Sequence, residues 1–189
     1  FRPVIHSDMW EEPVPLEGPI NTAGAEDSPF ITPDGNELYF FFTPDVDIPA
    51  EKQIMDEVTG IWYSGRTNAG WTEPERVELG SDESLDGSVF VNEDMMWFSS
   101  VRSGNYGEVD IYTAEKVDGK WKNIENAGEL LNEEYDIGEF HISNDGNTIY
   151  FGKDGDLYRT EKTSNGWSEP EPLSINTEEY SEGQPFITS

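Results

Sequence analysis

The chain has 189 residues, of which 13% are aromatic, and its 40 acidic and 11 basic residues give a formal net charge of −29. This length is enough for one domain with its own core, and the aromatic content excludes a disordered acidic tail. A field of this sign repels nucleic acid and anionic membrane surfaces, which bind through Lys and Arg, so no nucleic-acid partner is expected.

The absence of cysteine excludes disulfides, zinc–thiolate sites and thiol catalysis. No apolar run approaches the roughly 20 residues that a membrane helix needs, so no direct membrane insertion is expected. The chain starts at Phe1 rather than at Met, which suggests that an upstream segment was removed or left out.

The first predicted elements are four short strands. They are SPFIT (28–32), ELYFFF (37–42), GIWYSGR (60–66) and WTEPERVEL (71–79). Runs of aromatic and β-branched residues separated by the turns PDGN and TNAG predict β-hairpins. The Glu-Pro pair at 73–74 suits an outermost strand, because proline is tolerated at sheet edges. Only AEKQIMDEV (50–58) could form a helical turn or two.

Two further groups of four strands are predicted downstream. The second group is SVFV (88–91), MMWFSS (95–100), VDIYTAE (109–115) and WKNIENA (121–127). The third group is EFHIS (139–143), TIYFG (148–152), DLYRTEK (156–162) and WSEPEPL (167–173). Helical periodicity is absent throughout, so the pattern predicts an all-β protein.

Two sets of aromatic residues recur with the same spacing. Tryptophan returns at intervals of 61, 50 and 46 residues, and phenylalanine at 60, 50 and 46; the positions are Trp10, Trp71, Trp121, Trp167 and Phe30, Phe90, Phe140, Phe186. Tandem units of four antiparallel strands at this spacing predict a β-propeller. Its full blades would be 28–79, 88–127 and 139–173, with each Trp packed between neighbouring blades.

The repeated segments also resemble a known family. FITPDGNELYF and HISNDGNTIYF look like the WD40-like repeat of TolB-type propellers, built around F-S-P-D-G-x-x-I-x-F. EVDIY, GDLYRTEK, GWSEPEPL and INTEEYSEGQPFIT are similar to versions in bacterial envelope and secreted proteins. The resemblance therefore implies a propeller with an extracytoplasmic location: periplasm, cell surface or secreted. The second copy departs from the pattern, because VNEDMMWF lacks the Gly after Asp94 and requires a tighter hairpin.

The two ends of the sequence predict parts of a fourth blade. FRPVIHSDMW (1–10) aligns with YRTEKTSNGW (158–167) without a gap, and SEGQPFITS (181–189) reads as a first strand. We expect a single propeller domain over 1–189, with partial-blade segments at 1–16 and 183–189. The favoured explanation is that the chain is part of a longer one. The alternative is a blade that lacks a strand or borrows one from another molecule, which would make self-assembly part of the function.

The candidate binding site lies on the loops that precede each first strand, here called the leading loops. These loops are GAEDS (24–28), SDESLDG (81–87), NEEYDIG (132–138) and NTEEYSEG (176–183). In a propeller they share one face with the insertion at 43–60, and binding residues concentrate on such loops. The predicted binding residues are Glu26, Asp27, Asp86, Asp136, Glu139 and Glu182, with His141 nearby. Converging carboxylates could bind Ca²⁺, a basic peptide or a sugar, although each acid alone also fits a turn cap or a solvated surface.

Other acidic residues and the known catalytic motifs carry less information. Asp34, Asp94 and Asp145 are interpreted as turn residues, because Asp favours hairpin turns. The sequence has no G-x-S-x-G nucleophile elbow, and its two histidines, His6 and His141, are far apart. His141 takes the place of Phe30 on a first strand and is interpreted as a core histidine.

The function predicted from these features is a non-catalytic extracytoplasmic scaffold whose acidic face binds a protein, glycan or cation. The alternative is a carbohydrate-active hydrolase with paired carboxylates at the propeller face. No cofactor is predicted apart from Ca²⁺. If the acidic loops bind this ion, millimolar Ca²⁺ should raise the melting temperature of the protein.

Overall fold

The computed structural model describes residues 11–16, 18–80, 84–132 and 135–187. Within these ranges the chain forms fourteen β-strands and two short helices. The strands make three antiparallel sheets that follow one another along the chain. The predicted all-β class with antiparallel sheets is therefore confirmed.

Sheet 1 contains the first five strands. They are β1 (Ala25–Ile31), β2 (Glu37–Thr43), β3 (Gly60–Thr67), β4 (Gly70–Trp71) and β5 (Glu75–Arg76). The order is β1-β2-β3-β4, and β5 also pairs with β3. The PDGN turn joins β1 to β2 and aligns Ile31 with Leu38.

Sheets 2 and 3 each follow the same consecutive order over four strands, and sheet 3 has a fifth strand as sheet 1 does. Sheet 2 is β6 (Asp86–Asn92), β7 (Met95–Ser100), β8 (Asp110–Val117) and β9 (Lys120–Asn126), in that order. Sheet 3 is β10 (Phe140–Ile142), β11 (Thr148–Lys153), β12 (Asp156–Thr163), β13 (Gly166–Trp167) and β14 (Glu171–Pro172), with β14 also on β12.

The outermost strand differs from the prediction in two of the sheets. We expected one continuous strand in each, over 71–79 and 167–173, but both are split into two-residue pieces. Pro74 lies in one gap and Pro170 in the other, and proline has no N–H to donate to a neighbouring strand. The sheets therefore contain five, four and five strands rather than four each.

Two short helices connect strands. Helix α1 (Ala50–Gln53) lies inside the segment predicted to make a helical turn. Helix α2 (Glu129–Asn132) was not predicted, because four residues are too few to show a helical period. It follows β9 and buries Leu131 and Asn132.

The predicted parts of a fourth blade are not strands where the structure describes them. Residues 11–16 and 183–187 have no strand hydrogen-bonding pattern. A first strand needs a second strand beside it for its ladder of hydrogen bonds, and no described strand pairs with 183–187. The remaining parts of the prediction, residues 1–10 and 188–189, lie outside the described residues.

The core is divided between the sheets. One cluster joins sheets 1 and 2 and includes Tyr39, Ile61, Met96 and Phe98. A second joins sheets 2 and 3 and includes Phe90, Ile111, Ile149 and Phe151. A third lies on the other face of sheet 1, where Ile20 packs with Leu38 and Phe40. Sheets 1 and 2 thus each contribute to two clusters, whereas sheet 3 contributes only to the second.

Two of the four recurring tryptophans pack between neighbouring sheets. Trp167 of β13 meets Trp97 of β7 edge to face, with ring centroids 5.6 Å apart. Trp121 of β9 packs against the cluster that contains Tyr39 of sheet 1. Such aromatic pairs contribute about 1 kcal/mol beyond their buried area. The predicted packing is confirmed for these two residues, whereas Trp71 packs with Ile20 and Trp10 lies outside the described residues.

Candidate functional site

The first strands of the three sheets meet the segment 184–186 around one cavity. The cavity has a volume of about 290 Å³. It is lined by Asp27, Ser28, Pro29, Phe30, Ser88, Val89, Glu139, Phe140, His141, Gln184, Pro185 and Phe186. Residues that are far apart in the sequence therefore share one concave surface.

Four aromatic rings form the wall of this cavity or lie next to it. The ring of Phe90 is 5.0 Å from Phe30 and 5.7 Å from His141, measured between centroids. The ring of His141 is in turn 4.6 Å from that of Phe186. Phe186 is 73% exposed, whereas Phe90 is buried. The cavity therefore has a continuous aromatic wall that is open to solvent at the Phe186 end.

Unusual backbone conformations occur at three positions that line the cavity. Ser28, Ser88 and Gln184 have φ values of 47°, 41° and 51°. In β1 and β6 these residues coincide with a shift of the strand register, between Asp27 and Phe30 and between Gly87 and Phe90. Bulges of this kind re-aim side chains, and they are frequent near binding sites. None of the three residues was predicted from the sequence, although each lies two residues before an aromatic residue of the wall.

Two of the predicted acids lie at the cavity. Asp27 is exposed, and its Oδ1 accepts a hydrogen bond from the backbone N–H of Ser28 at 2.7 Å. Glu139 accepts a hydrogen bond from Nε2 of Gln184 at 3.2 Å. Both carboxylates keep oxygen lone pairs that a ligand in the cavity could use.

His141 also lines the cavity, on β10, and it is buried as expected for a core histidine. Burial lowers the pKa of His141 below its ordinary value, and a hydrogen bond with the backbone of Ile187 opposes this effect. The ring packs between Phe90 and Phe186. Its neutral form is therefore favoured, and it serves as part of the aromatic wall.

The predicted residues Glu26 and Glu182 have the same local role in two leading loops. Oε1 of Glu26 accepts hydrogen bonds from the N–H and the hydroxyl of Thr22. Glu182 accepts the corresponding pair from Thr177. These bonds close each loop just before the chain enters the cavity. Neither side chain lines the cavity.

Asp86 is occupied by a buried ion pair. Its Oδ1 lies 2.7 Å from a terminal nitrogen of Arg102 and also accepts the hydroxyl of Ser100. Oδ2 accepts the hydroxyl of Ser84. A carboxylate with these partners joins the start of β6 to the loop after β7, and it does not line the cavity.

Asp136 is likewise occupied by backbone donors. Its Oδ1 accepts the N–H groups of Glu108 and Val109 in the loop before β8. A Cβ on Gly107 would collide with this carboxylate, so a larger residue there would require Asp136 to move. The predicted ring of acids is therefore divided: Asp27, Glu139 and His141 lie at the cavity, and Glu26, Asp86, Asp136 and Glu182 hold loops in place.

The interpretation of Asp34 and Asp145 as turn residues is confirmed. Asp34 accepts the hydroxyl of Thr32 and the N–H of Asn36. Asp145 does the same with Ser143 and Asn147. These hydrogen bonds lower the pKa of both carboxyl groups. In the shorter second turn, the carbonyl of Asp94 accepts the N–H of Lys116, as that of Asn36 accepts the N–H of Arg66.

The insertion at 43–60 contributes no residue to the cavity lining. Its end is closed by Asp56, which accepts hydrogen bonds from the N–H groups of Val58 and Thr59 and from the Thr59 hydroxyl. Burial raises the pKa of Asp56, but these hydrogen bonds outweigh it and the net shift is downward. The position of this insertion on the leading-loop face stays a prediction.

The described parts of the chain contain neither a metal-binding cluster nor a membrane-spanning helix. There, no group of three or more His, Cys, Asp or Glu residues could hold a metal ion. No helix in those parts is long and apolar enough to cross a membrane. The suggested calcium site thus has no ligand cluster in the part of the chain that the structure describes.

The chain has no match among known families. No protein-family model matches it, and no curated protein is similar to it in sequence.

Proposed function

We propose that the three sheets are blades of a β-propeller of the WD40-like, TolB-type repeat family, folded as a single domain. The support is their common order and hydrogen bonding. The carbonyls of Ile61, Ile111 and Leu157 accept equivalent outer-strand N–H groups at 2.8, 2.9 and 2.8 Å. First strands that converge on one cavity are what a central channel requires. A crystal structure tests this proposal, because the sheets should be related by rotation about an axis through the cavity.

The function that this arrangement supports best is a non-catalytic binding module for a basic protein partner. The observation that carries it is the cavity where Asp27 and Glu139 meet the aromatic wall of Phe30, His141 and Phe186. A lysine or arginine side chain has an apolar stem and a cationic head. The stem would pack on the rings, and the head would meet the two carboxylates.

The charge of the whole chain favours the same class of partner. At −29 the molecule attracts basic surfaces and accelerates their association. Long-range attraction alone gives little selectivity, since it acts over the whole surface. The cavity supplies the local contacts that would distinguish a specific arginine or lysine from any other cation.

The binding proposal is tested with N-acetyl-arginine amide as a probe, followed by NMR at low salt. We expect the probe to shift the aromatic signals of Phe30, His141 and Phe186. The variant Asp27→Asn/Glu139→Gln keeps the shape of both side chains and one acceptor oxygen on each. Affinity should fall about tenfold, because each lost charge pair contributes about 0.7 kcal/mol.

The matched control is Asp47→Asn/Glu51→Gln, which removes two exposed charges from the insertion. This variant should change the affinity for the probe by less than about twofold, because these residues are outside the cavity. Equal losses in the two variants, or shifts spread over the whole surface, would show that the probe only senses net charge, and the cavity would lose its assigned role.

A glycoside hydrolase is the second candidate, favoured by two carboxylates and aromatic rings in one cavity. The variant that tests it is again Asp27→Asn/Glu139→Gln, since Asp86 is held by Arg102. Turnover of aryl glycosides by the native chain, lost in this variant, would replace the binding proposal. If the native chain turns over none of these glycosides, the hydrolase is excluded as a candidate function.

The proposed location is extracytoplasmic, and its support is the resemblance of EVDIY, GDLYRTEK and GWSEPEPL to envelope and secreted proteins. Fractionation of the producing cells, followed by immunodetection, tests it. Detection only in the cytoplasmic fraction would overturn this location.

A further inference from the structure

Strand β8 of sheet 2 is held by its backbone at Ile111. The carbonyl of Ile111 accepts the N–H of Ala127 at 2.9 Å and a side-chain N–H of Asn132 at 3.0 Å. The N–H of Ile111 donates to Oδ1 of Asn132 at 2.9 Å. We call this arrangement a strand clamp: one backbone N–H and one asparagine side chain that together hold a single residue of an extended strand. Its three bonds reach only backbone atoms of the strand, so they do not depend on the side chain of the held residue.

The chain contains the same donors and acceptor at two further places. In the second clamp, Leu173 and Asn176 hold Leu157 of β12 by bonds of 2.8, 2.9 and 2.9 Å. The third clamp consists of Leu16 and Asn21, which are five residues apart, as the two members of the first clamp are. Within the described residues no strand lies beside it. The N–H of Leu16 has no acceptor there, and the side chain of Asn21 bonds only to the Leu16 carbonyl, at 2.7 Å.

The loop that carries Asn21 is fixed by the same bonds as the loop of the second clamp. Thr22 directly follows Asn21, and its N–H and hydroxyl both donate to Glu26. In the second clamp, Thr177 directly follows the asparagine and donates in the same way to Glu182. The side chain of Asn21 is exposed. A loop that is already ordered loses little conformational entropy when a strand binds to it.

The third clamp also has an apolar surface beside it. In the first clamp, the side chain of Ile111 packs with three residues of α2 and β11: Leu131, Ile149 and Phe151. The strand register and the position next to the clamp asparagine give their counterparts at the third clamp, which form a cluster of their own: Ile20, Leu38 and Phe40. A cavity of about 140 Å³ opens beside Ile20 and Phe40. An aliphatic side chain of a bound strand would pack there.

We propose that the third clamp binds an extended strand of a partner protein with the sequence Asp–aliphatic–aromatic, and that it holds the aliphatic residue. The other two clamps hold such a residue, in DIY (110–112) and DLY (156–158). Both of these strands are already bound within the chain, which favours a strand from another protein. In strand addition of this kind, main-chain bonds give affinity and side-chain contacts give selectivity. The third clamp shares no residue with the cavity at the first strands, so this inference does not rest on the proposed function.

The probe is a capped peptide with the sequence of residues 155–162, GDLYRTEK, whose acidic and basic residues balance. Hydrogen exchange followed by NMR measures its effect on the N–H of Leu16. This N–H should exchange rapidly in the free protein, and saturating peptide should slow its exchange at least about tenfold. The control peptide carries N-methyl-leucine, which keeps the side chain and the charge but lacks the N–H that Asn21 would accept. It should bind about tenfold more weakly.

The variant Asn21→Ala removes both side-chain bonds of the third clamp without disturbing the core, because this side chain is exposed. It should weaken peptide binding about tenfold, whereas Asn68→Ala, at an exposed turn elsewhere, should change it less than about twofold. No binding of the peptide to the native chain, or equal losses in the two variants, would overturn the proposal.

The free protein distinguishes the other possible occupants of the third clamp. If the N–H of Leu16 is protected from exchange before any peptide is added, another part of the chain fills the clamp. If its protection increases with protein concentration, a second copy of the chain fills it. Either result would overturn the assignment to a partner protein.

Discussion

Asp86 and Arg102 form an ion pair whose two side chains are each only 9% exposed. The guanidinium of Arg102 also lies over the rings of Phe98 and Tyr112, at 5.1 and 4.9 Å from their centroids. Removing both charges from water is costly, and it is offset only when the pair is well bonded. The extra hydrogen bond from Ser100 to Asp86 supplies part of that compensation.

The variant Asp86→Asn should therefore destabilise the protein by about 3 kcal/mol, because it leaves the buried Arg102 charge without its partner. Urea unfolding measures this change. The matched control is Asp118→Asn, which breaks the exposed pair with Lys122 and should cost at most about 0.5 kcal/mol. Equal small effects would mean that the buried pair is dispensable.

His141 should make stability depend on pH. Because burial lowers its folded-state pKa, the unfolded chain binds the proton more readily as pH falls through the ordinary histidine value of about 6.5. The free energy of unfolding should thus decrease between about pH 8 and about pH 5.5, and His141→Phe should remove this component. Urea midpoints at both pH values measure it. The same decrease in the variant would assign it to other groups.

For single residues, the sequence predicted the roles that depend on neighbours close in the chain. Asp34 and Asp145 were interpreted correctly because their hydrogen bonds reach only two residues away. The partners of Asp86 and Asp136 were not predicted, since they lie 16 and 28 residues away in the chain. Which acids face a ligand therefore depends on tertiary contacts that composition does not encode.

Two asparagines link consecutive elements by clamping a strand backbone. Asn132 at the end of α2 accepts the N–H of Ile111 at 2.9 Å and donates to its carbonyl at 3.0 Å. Asn176 makes the same two bonds with Leu157 at 2.9 Å. The sequence signal, an aliphatic residue followed by Asn at 20–21, 131–132 and 175–176, was present but unused.

The variant Asn132→Ala should cost about 3 kcal/mol, because it leaves the buried N–H of Ile111 without an acceptor. Hydrogen exchange at Ile111 and urea unfolding measure the effect. Asn165→Ala, at an exposed turn position, is the matched control and should change stability by at most about 0.5 kcal/mol. If Ile111 keeps its protection from exchange in Asn132→Ala, the clamp is not what holds this strand.

At the level of elements, strand positions followed from alternating apolar residues and Asp-Gly turns. The centres of the first three strands in each sheet agree with the prediction, for example 95–100 for β7. The errors concern local backbone geometry: β1 and β6 start earlier than expected and contain bulges. A bulge adds a residue without changing the composition of the strand, so hydrophobic alternation cannot locate it.

The whole molecule carries a large excess of negative charge. The cavity at the first strands presents two of these acids, Asp27 and Glu139. Elsewhere the excess of 29 negative charges acts against the folded state through self-repulsion. The stability of the fold should therefore depend on ionic strength more than that of a neutral protein.

Raising NaCl from about 0.01 M to about 0.5 M should increase the melting temperature, because the screening length falls from about 30 Å to a few Å. The buried Asp86–Arg102 pair is screened less and should not reverse the trend.

Since no described group of acids could hold a metal, CaCl₂ should raise the melting temperature no more than MgCl₂ at equal concentration. Differential scanning calorimetry measures both effects. A larger increase with Ca²⁺ would indicate a specific ion site, by mass action on the folded state.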